Sequence, residues 1–526
     1  MAQPDSNAVH AEDTKILHNM GYAQELSRRM SGFSNFAISF SIICILSGGI
    51  NSLGQATSGA GGAAIGIGWP VGCLISAFFA LALAQIASAY PTAGGLYHWG
   101  SILGNRFTGW LSAWLNLLGL ITVLGAINVG TFGFFVGAFG STFGIENNPF
   151  NTVVFVAVIT AIQALINHFG IGLTMKMTDL SGYLMLLAAI ALTVVCLMFA
   201  PSWDLSRLFT FSNYTGDYPG LTGAEAANAV WPSLVSGAMA FALGLLLPIY
   251  TITGYDASAH TAEETVNASM AVPKGMVSAV LWSSVFGYIM LCAFVLMIPN
   301  MDEAAKQGWN VFFWGMDKQV PLTIKNILYV LIFISQLLCG LATVTSLSRM
   351  LFAFSRDGGI PGFSKALSTV NASHRSPVNS IWFGSILSVL FVWLASYTTI
   401  NGLPAYSVVV SCTVIFLFLS FAVPIALALV NYGGEKFPKP GPWDLGGGLF
   451  RLVCLLSLVG MAVIIFIGIQ PPNQLALPIL LGFFVLAAVL WVLLENRRFK
   501  GPPIGAEISR RQAEIKAAEA ALGGAG

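Results

Sequence analysis

Asp256 is the one carboxylate that the sequence places well inside a long apolar run. An ionisable residue within a membrane segment is costly to bury and is therefore a candidate functional residue. Two roles suit its position. It caps a helix that begins directly after it, where the helix dipole keeps it ionised, or it takes up and releases a proton together with a bound molecule. The roles are compatible, because protonating a cap would loosen the helix that follows.

The residues around Asp256 would interrupt a membrane helix. The segment 248–260, PIYTITGYDASAH, contains a proline, a glycine and several hydroxyl residues at the end of an apolar run that begins near Trp231. A second interruption, LSGGINS at 46–52, lies inside the first apolar run. Backbone groups freed at such breaks must face protein, water or a ligand rather than lipid. Two interrupted helices in corresponding positions of two halves are typical of the binding site of a secondary transporter.

The two breaks offer opposite chemistry to a ligand. Ser47, Gly48 and Gly49 allow the backbone to leave the helical region, and the free N–H groups of the helix that follows suit a carboxylate. At the second break the unpaired carbonyls suit an ammonium group; they are those of Tyr250, Thr251 and Thr253. Together these groups fit a small amphoteric molecule such as an amino acid. The alternative is that Gly48 and Gly49 only allow close helix packing, but the polar second break favours a binding site.

Other polar residues near the ends of the apolar runs have simpler interpretations. Glu263 and Glu264 follow Asp256 by one to two helical turns, and a solvated helix end is favoured over a gate paired with basic residues. His168 and His260 are favoured as packing residues over proton relays. Asn116 is a candidate to face the site, as are two tryptophans on the same run, Trp110 and Trp114.

Composition excludes most other classes of protein. Of the 526 residues 56% are hydrophobic and only 9% are charged, whereas soluble proteins carry about 25% charged residues. The net charge of +1 gives no support for nucleic-acid binding. All seven cysteines lie in apolar runs, which indicates free thiols. No metal site or other cofactor is expected, because no His/Cys spacing indicates one. Residues 1–30 do not resemble a secretory signal.

Apolar runs predict an all-α polytopic membrane protein with twelve transmembrane helices. Each run is long enough to cross a bilayer, which takes about 20 residues. The predicted runs are 34–58, 64–89, 106–138, 150–168, 178–200, 233–260, 276–299, 325–354, 380–398, 404–430, 450–470 and 475–495. The third is longer than a bilayer requires, so it should tilt or protrude.

Positive charges predict the orientation of these helices. With residues 1–30 as a cytoplasmic tail, only four of the 23 Lys and Arg residues fall in outer segments: Arg207, Lys306, Lys318 and Lys325. The other nineteen fall inside, so both termini are predicted to be cytoplasmic. The segment 201–232 is then an extracellular loop and 497–526 a cytoplasmic tail containing a short exposed helix. Arg349 and Arg356, at the inner end of the eighth run, are expected to reach water by snorkelling.

Four pieces of sequence resemble the amino acid–polyamine–organocation permeases. They are the Ser-Gly-Gly-Ile of 47–50, the Ala-Tyr-Pro-Thr-Ala-Gly-Gly-Leu-Tyr of 89–97, the Gly-Tyr-Asp of 254–256 with the following Ala-Glu-Glu, Asn267 and Pro273, and the Ser-Arg-Met-Leu-Phe-Ala-Phe-Ser-Arg-Asp-Gly of 348–358 with Pro361. Together they extend over residues 30–430. The form of 253–260 is most similar to the branch that takes γ-aminobutyrate, choline and related amines.

The resemblance implies an architecture and a site. Two inverted five-helix repeats would occupy 31–200 and 233–430, with helices 1 and 6 broken and two peripheral helices in 431–496. The substrate carboxylate would meet the N–H groups of Gly48 and Gly49. The amine would meet the carbonyls of Ile45, Tyr250 and Thr253, with the Tyr250 side chain as a candidate gate. Asp256 matches the acidic position that follows the family's glycine, Gly254.

One departure from the family pattern concerns the coupling ion. Some proton-coupled members carry a lysine in span five, but residues 179–200 contain none. The coupling ion therefore cannot be transferred from the resemblance.

The expected function is secondary active transport of a small, γ-aminobutyrate-like amino acid or amine across the plasma membrane, with a proton as the expected coupling ion. The alternatives are a choline or polyamine permease and an amino acid exchanger. An enzyme would need clustered His, Asp or Glu within the spans, and a channel would need a repeated pore segment or a charged ring; neither pattern is found.

Overall fold

The computed structural model describes residues 6–214, 236–400, 403–471, 473–503 and 506–522, and these residues are predominantly helical. Eleven of the described helices are long and apolar enough to cross a membrane. They are Gly32–Asn51, Ala63–Ala89, Arg106–Phe143, Pro149–His168, Ile171–Met198, Ala268–Met297, Leu322–Arg356, Val378–Tyr397, Cys412–Asn431, Gly447–Gly468 and Ala476–Arg498. A shorter apolar helix, Gly237–Thr251, occupies the sixth predicted run. The all-α polytopic class is thereby confirmed.

Both predicted breaks are present. The first broken helix consists of Gly32–Ile43 and Gly48–Asn51. Its first half ends at Cys44, whose φ of 30° is a left-handed backbone conformation that residues other than glycine rarely adopt. The second broken helix consists of Gly237–Thr251 and Ala257–His260. The chain turns between its halves at Gly254, whose φ of 101° favours glycine.

The third long helix shows how local sequence sets helix ends. Asn105 and Thr108 form a reciprocal capping box at its start, and Gly144 ends it in a left-handed conformation at φ 65°. Its 38 residues exceed the prediction, and at 1.5 Å per residue they extend about 57 Å, well beyond a hydrocarbon core of about 30 Å. The fifth helix begins at Ile171 rather than 178, because Thr174 and Lys176 interrupt the apolar run without interrupting the helix.

Shorter elements connect these helices. The α-helices not yet given are Ser6–Asn19, Leu53–Ala60, Leu96–Leu103, Met301–Ala305, Val311–Gln319, Ser364–Leu367, Ala506–Arg510 and Gln512–Ala521. Short 3₁₀ turns lie at Leu205–Leu208, Ala262–Glu264 and Gly308–Asn310, and the π-helical turn Trp491–Glu495 lies within the last long helix. Two antiparallel two-residue strands, Thr399–Ile400 and Leu403–Pro404, precede the helix Ala405–Asn431. Most of the predicted outer loop, from 215 onward, lies outside the described residues, as do 233–235 of the sixth predicted run.

Hydrogen bonds hold the two broken helices together. Asn35 Nδ2 donates to the Ser258 carbonyl at 2.9 Å, and the Ser258 N–H donates to Ser39 Oγ at 3.0 Å. All three residues are buried, so these bonds fix the first half of one helix against the second half of the other. We call the end of the bundle that carries the N- and C-terminal helices the terminal end.

Candidate functional site

A small cavity lies between the two breaks. Seven predicted site residues line it: Ser47, Gly48, Tyr250, Thr251, Thr253, Gly254 and Asp256. Ile45 and Gly49, also predicted, are not among its lining residues. Apolar side chains complete the wall, including Leu120, Val123 and Ile127 of the third long helix. Its volume of about 30 Å³ is room for a water molecule or two but not for an amino acid.

The two breaks interlock through glycines. A β-carbon on Gly48 would lie 2.9 Å from Thr251 Cα, and one on Gly254 would lie 2.3 Å from Ile42 Cγ2. Real β-carbon contacts are essentially never this short. Each break therefore contributes a glycine that lets the other approach. Gly48 both lines the cavity and contacts the second break. Close packing is therefore present at this glycine, and ligand binding there stays a prediction.

The backbone groups of the two breaks differ in their hydrogen bonding. The Gly48 N–H donates to the Cys44 carbonyl at 3.0 Å, and the Gly49 N–H donates to the Ile45 carbonyl at 3.1 Å. At the second break, no residue that the structure describes donates to the carbonyls of Tyr250, Thr251 or Thr253. Free acceptors are thus present at the second break, whereas the two glycine donors of the first are used within it.

Asp256 lies immediately before the helix Ala257–His260, but its side chain makes no cap hydrogen bond. Its Oδ2 instead accepts from Asn116 Nδ2 at 3.2 Å and lies 3.2 Å from His260 Nε2. The residue is 1% exposed and borders the cavity. Its carboxyl group is therefore directed at side chains of the site rather than at the helix end.

His260, for which a packing role was favoured, contacts a residue of the predicted site. Its ring is fully buried and contacts Asp256. The spacing of four residues, which puts two side chains on one face of a helix, was the signal available in the sequence. Asn116, a candidate to face the site, contacts Asp256 but is not among the residues that line the cavity. Trp110 and Trp114 do not line the cavity; they pack against Trp491 and Phe354.

Two buried ion pairs close the terminal end. Arg356 donates to Glu263 through its two terminal nitrogens, Nη2 at 2.8 Å and Nη1 at 3.1 Å, and Arg349 donates to Glu264 at 2.9 and 3.0 Å. Both glutamates and Arg349 are 0% exposed. The expectation of a solvated helix end is wrong for both glutamates, and Arg349 does not snorkel. Charges buried to this degree require opposite charges with good geometry.

A second polar cluster lies next to these pairs. The hydroxyls of Tyr22 and Tyr97 donate to Asp357 Oδ2 at 2.6 and 2.9 Å, and His98 Nε2 lies 3.4 Å from the same oxygen. Burial alone would raise the pKa of Asp357, but the contact with His98, the nearby Arg356 charge and the Tyr22 hydrogen bond lower it below its usual value. The pKa of Glu263 is also lowered: burial would raise it, but the Arg356 guanidinium, the Ala93 N–H and the nearby His98 together lower it.

Three of the four sequence pieces that resemble a permease meet at this end. Ala93 of the second piece donates its N–H to Glu263 of the third, which binds Arg356 of the fourth. The family model described as amino acid permease matches residues 30–494. The chain belongs to the amino acid permease family.

The permease is similar over most of its length to curated plant and fungal proteins. It is 30% identical to the amino-acid permease BAT1 of Arabidopsis thaliana, over 92% of this chain and 95% of that protein. It is 31% identical to the BAT1 homolog of Oryza sativa, over 92% of this chain and 94% of that protein. It is 26% identical to amino-acid permease 2 of Neurospora crassa, over 95% of this chain and 90% of that protein. The protein is thus a permease and not an enzyme.

Proposed function

We propose that this permease carries a small, γ-aminobutyrate-like amino acid across the plasma membrane by alternating access, coupled to protons, with both termini in the cytoplasm. The observation that carries the proposal is the cavity at the meeting point of two broken helices, with Asp256 in its wall and unbonded carbonyls at its edge. Broken helices that expose backbone groups near mid-membrane are how such transporters bind substrate and ion. The relatives' names support amino acids as the substrate class.

The site we propose uses both breaks. The substrate amine binds the carbonyls of Tyr250, Thr251 and Thr253, and the carboxylate binds the N–H groups of Gly48 and Gly49. Those N–H groups now donate to the carbonyls of Cys44 and Ile45 in the same break, so the first break must also rearrange before the carboxylate can replace these acceptors. Separation is required in any case, because a cavity of about 30 Å³ cannot hold an amino acid.

The proposed architecture follows the resemblance. The two inverted repeats occupy 31–200 and 233–430, and the remaining helices of 431–496 are peripheral. Exposed apolar side chains on the last of these, such as Leu481, Val485 and Leu486, support a lipid-facing position. Alternating access would then move one repeat against the other around the breaks.

A choline or polyamine permease is less well supported. Choline has no carboxylate for the first break, and a polyamine would need several carboxylates, whereas Asp256 is the only one among the residues that line the described cavity. An exchanger swaps substrates without gradient-dependent accumulation. Uptake measured with and without a proton gradient therefore separates an exchanger from a symporter.

The test is uptake into proteoliposomes that contain the purified permease. Labelled γ-aminobutyrate is offered with and without an inward proton gradient, and unlabelled amino acids, choline and spermidine serve as competitors. Gradient-dependent accumulation supports the proposal. Exchange of another amino acid without accumulation would replace the proposed substrate and coupling, and failure to move any amino acid or amine would refute the site.

A further inference from the structure

The ring of His260 contacts two oxygen atoms from different elements. Its Nδ1 lies 3.1 Å from the Ala93 carbonyl oxygen, and its Nε2 lies 3.2 Å from Asp256 Oδ2. A carbonyl oxygen can only accept, so Nδ1 must carry a hydrogen. The hydrogen between Nε2 and the carboxyl group is then a second, separate proton.

Counting protons shows what this contact requires. If the second proton lies on Nε2, the residues are an imidazolium and a carboxylate; if it lies on Oδ2, they are a neutral imidazole and a carboxylic acid. The sum of charges is zero in both cases. Without that proton, the Nε2 lone pair would face a carboxylate oxygen at 3.2 Å, and the two would repel. The contact is therefore a feature of the proton-loaded state.

We infer that Asp256 and His260 together form the site that loads and unloads the coupling proton. We call these two residues the proton pair. This inference rests on the proposed proton-coupled function and names the residues that carry it out. The pair borders the cavity through Asp256, so a proton can pass to water when the breaks separate. Loading gives a neutral pair that can stay buried, whereas unloading leaves one uncompensated negative charge, which a buried site opposes.

Other groups near the proton pair do not duplicate its role. Asn116 contacts Asp256 but does not titrate. The phenol of Tyr255, next in the chain, is buried and has no hydrogen-bond partner among the described residues. Cys339 lines the cavity, but its Sγ donates to the Ile42 carbonyl at 3.4 Å and not to the pair. The charged groups beyond Ala93 are Glu263 with its partner Arg356, and His98 lies close enough to affect Glu263.

The peptide groups of Ala93 connect the proton pair to the terminal end. The Ala93 carbonyl accepts from His260, while its N–H donates to Glu263 Oε1 at 3.1 Å. Glu263 in turn binds Arg356. Loss of the proton, which separates His260 from Asp256, would therefore disturb the residue that supports this buried ion pair. Proton release at the site and loosening of the terminal end are coupled through one residue.

Two substitutions separate the two contacts of His260. In His260→Asn the amide can still donate to Ala93, but nothing titratable reaches Asp256. In His260→Gln the amide can still reach Asp256, but it cannot lose a proton. His168→Asn is the matched control, because His168 lies at the end of another span and contacts Trp382 instead of a carboxylate.

The experiment compares accumulation with exchange in proteoliposomes, using a mixture of labelled amino acids that includes γ-aminobutyrate. With an inward gradient of one pH unit, wild type and His168→Asn should accumulate label up to about tenfold, the limit for one proton per substrate. Both His260 variants should stay near a ratio of one while still exchanging label, which shows that they are folded. If wild type exchanges without responding to the gradient, proton coupling fails and the pair fails with it. If wild type responds to the gradient and both His260 variants accumulate label as strongly as wild type, only the proton pair is refuted.

Discussion

Gly48 lies against Thr251 so closely that the two breaks touch backbone to backbone. A β-carbon at position 48 would lie 2.7 Å from Thr251 Oγ1 and 2.9 Å from Thr251 Cα. A side-chain oxygen can rotate away, but an α-carbon can move only if its helix moves. The closed arrangement of the breaks therefore depends on the missing side chain at position 48.

Replacing Gly48 by alanine should hold the breaks apart. Overpacking of this kind costs about 1–3 kcal/mol, so amino acid uptake should fall by about tenfold or more while the protein remains folded. Initial uptake rates in proteoliposomes measure the effect, and elution as a monodisperse peak in detergent reports folding.

Gly49 provides the control for that substitution. The nearest atoms to a β-carbon at position 49 belong to Leu291 and Met290 at 3.8 Å, which is ordinary contact. Gly49→Ala should therefore transport within about threefold of wild type, since it avoids the overpacking expected at position 48. Equal losses in both variants would show that the distance to Thr251 is not the cause.

Asp256→Asn should uncouple transport from the proton gradient. An asparagine can still bond to His260 and Asn116, the two partners of the carboxylate, but it cannot release a proton. Gradient-driven accumulation should be lost while exchange of labelled amino acid continues. Accumulation at the wild-type level would leave Asp256 with a structural role alone, and Asn116→Ala tests whether loss of a polar partner by itself has the same effect.

The breaks could be predicted from sequence because their signals are local. Glycine, proline and hydroxyl residues inside an apolar run have few explanations other than an interrupted helix. Asp256 and His260 are also close in sequence, at a spacing of four. A lone histidine at a helix end gave no reason to prefer a contact with Asp256 over a packing role.

The buried ion pairs could not be predicted in the same way. Glu263 and Arg356 are 93 positions apart, and their pairing depends on how two helices pack. In the sequence, a buried charged residue beyond the end of an apolar run cannot be told from a solvated one, because the sequence does not show which other segments pack over it. The N- and C-terminal helices cover this end, and their docking involves residues about 500 positions apart.

The pair Glu264–Arg349 should contribute strongly to stability. Glu264→Gln leaves the guanidinium of Arg349 buried without its carboxylate, which typically costs about 3–5 kcal/mol. Thermal unfolding in detergent should show a markedly lower Tm. The double variant Glu264→Leu/Arg349→Met should recover part of the loss, because it removes both charges. Lys325→Ala, which breaks a partly exposed pair with Asp317, should cost about 1 kcal/mol or less.

Acid should weaken the terminal end through Glu263. Its pKa is lowered from the usual 4.5, so its stabilising contribution is fully present above pH 4.5 and is lost as the pH falls through the lowered value. The Tm of wild type should therefore drop below pH 4.5 more steeply than that of Glu263→Gln. Parallel Tm profiles for the two proteins would contradict this assignment, and Glu303→Gln, an exposed substitution, corrects for general acid effects.

The C-terminal helix should hold the N-terminal segment in place. Glu519 Oε1 lies 2.7 Å from His18 Nε2 and accepts from the Gln24 N–H at 2.9 Å. Gln24 in turn accepts from Arg28, which is buried. Glu519→Ala removes both contacts at a cost of about 1–3 kcal/mol, so trypsin should cleave after Arg28 about tenfold faster, because proteolysis follows the population of the open form. Glu514→Ala changes an exposed glutamate of the same helix and should leave the rate unchanged. If both variants are cleaved at the wild-type rate, the docked terminal helices do not protect this segment.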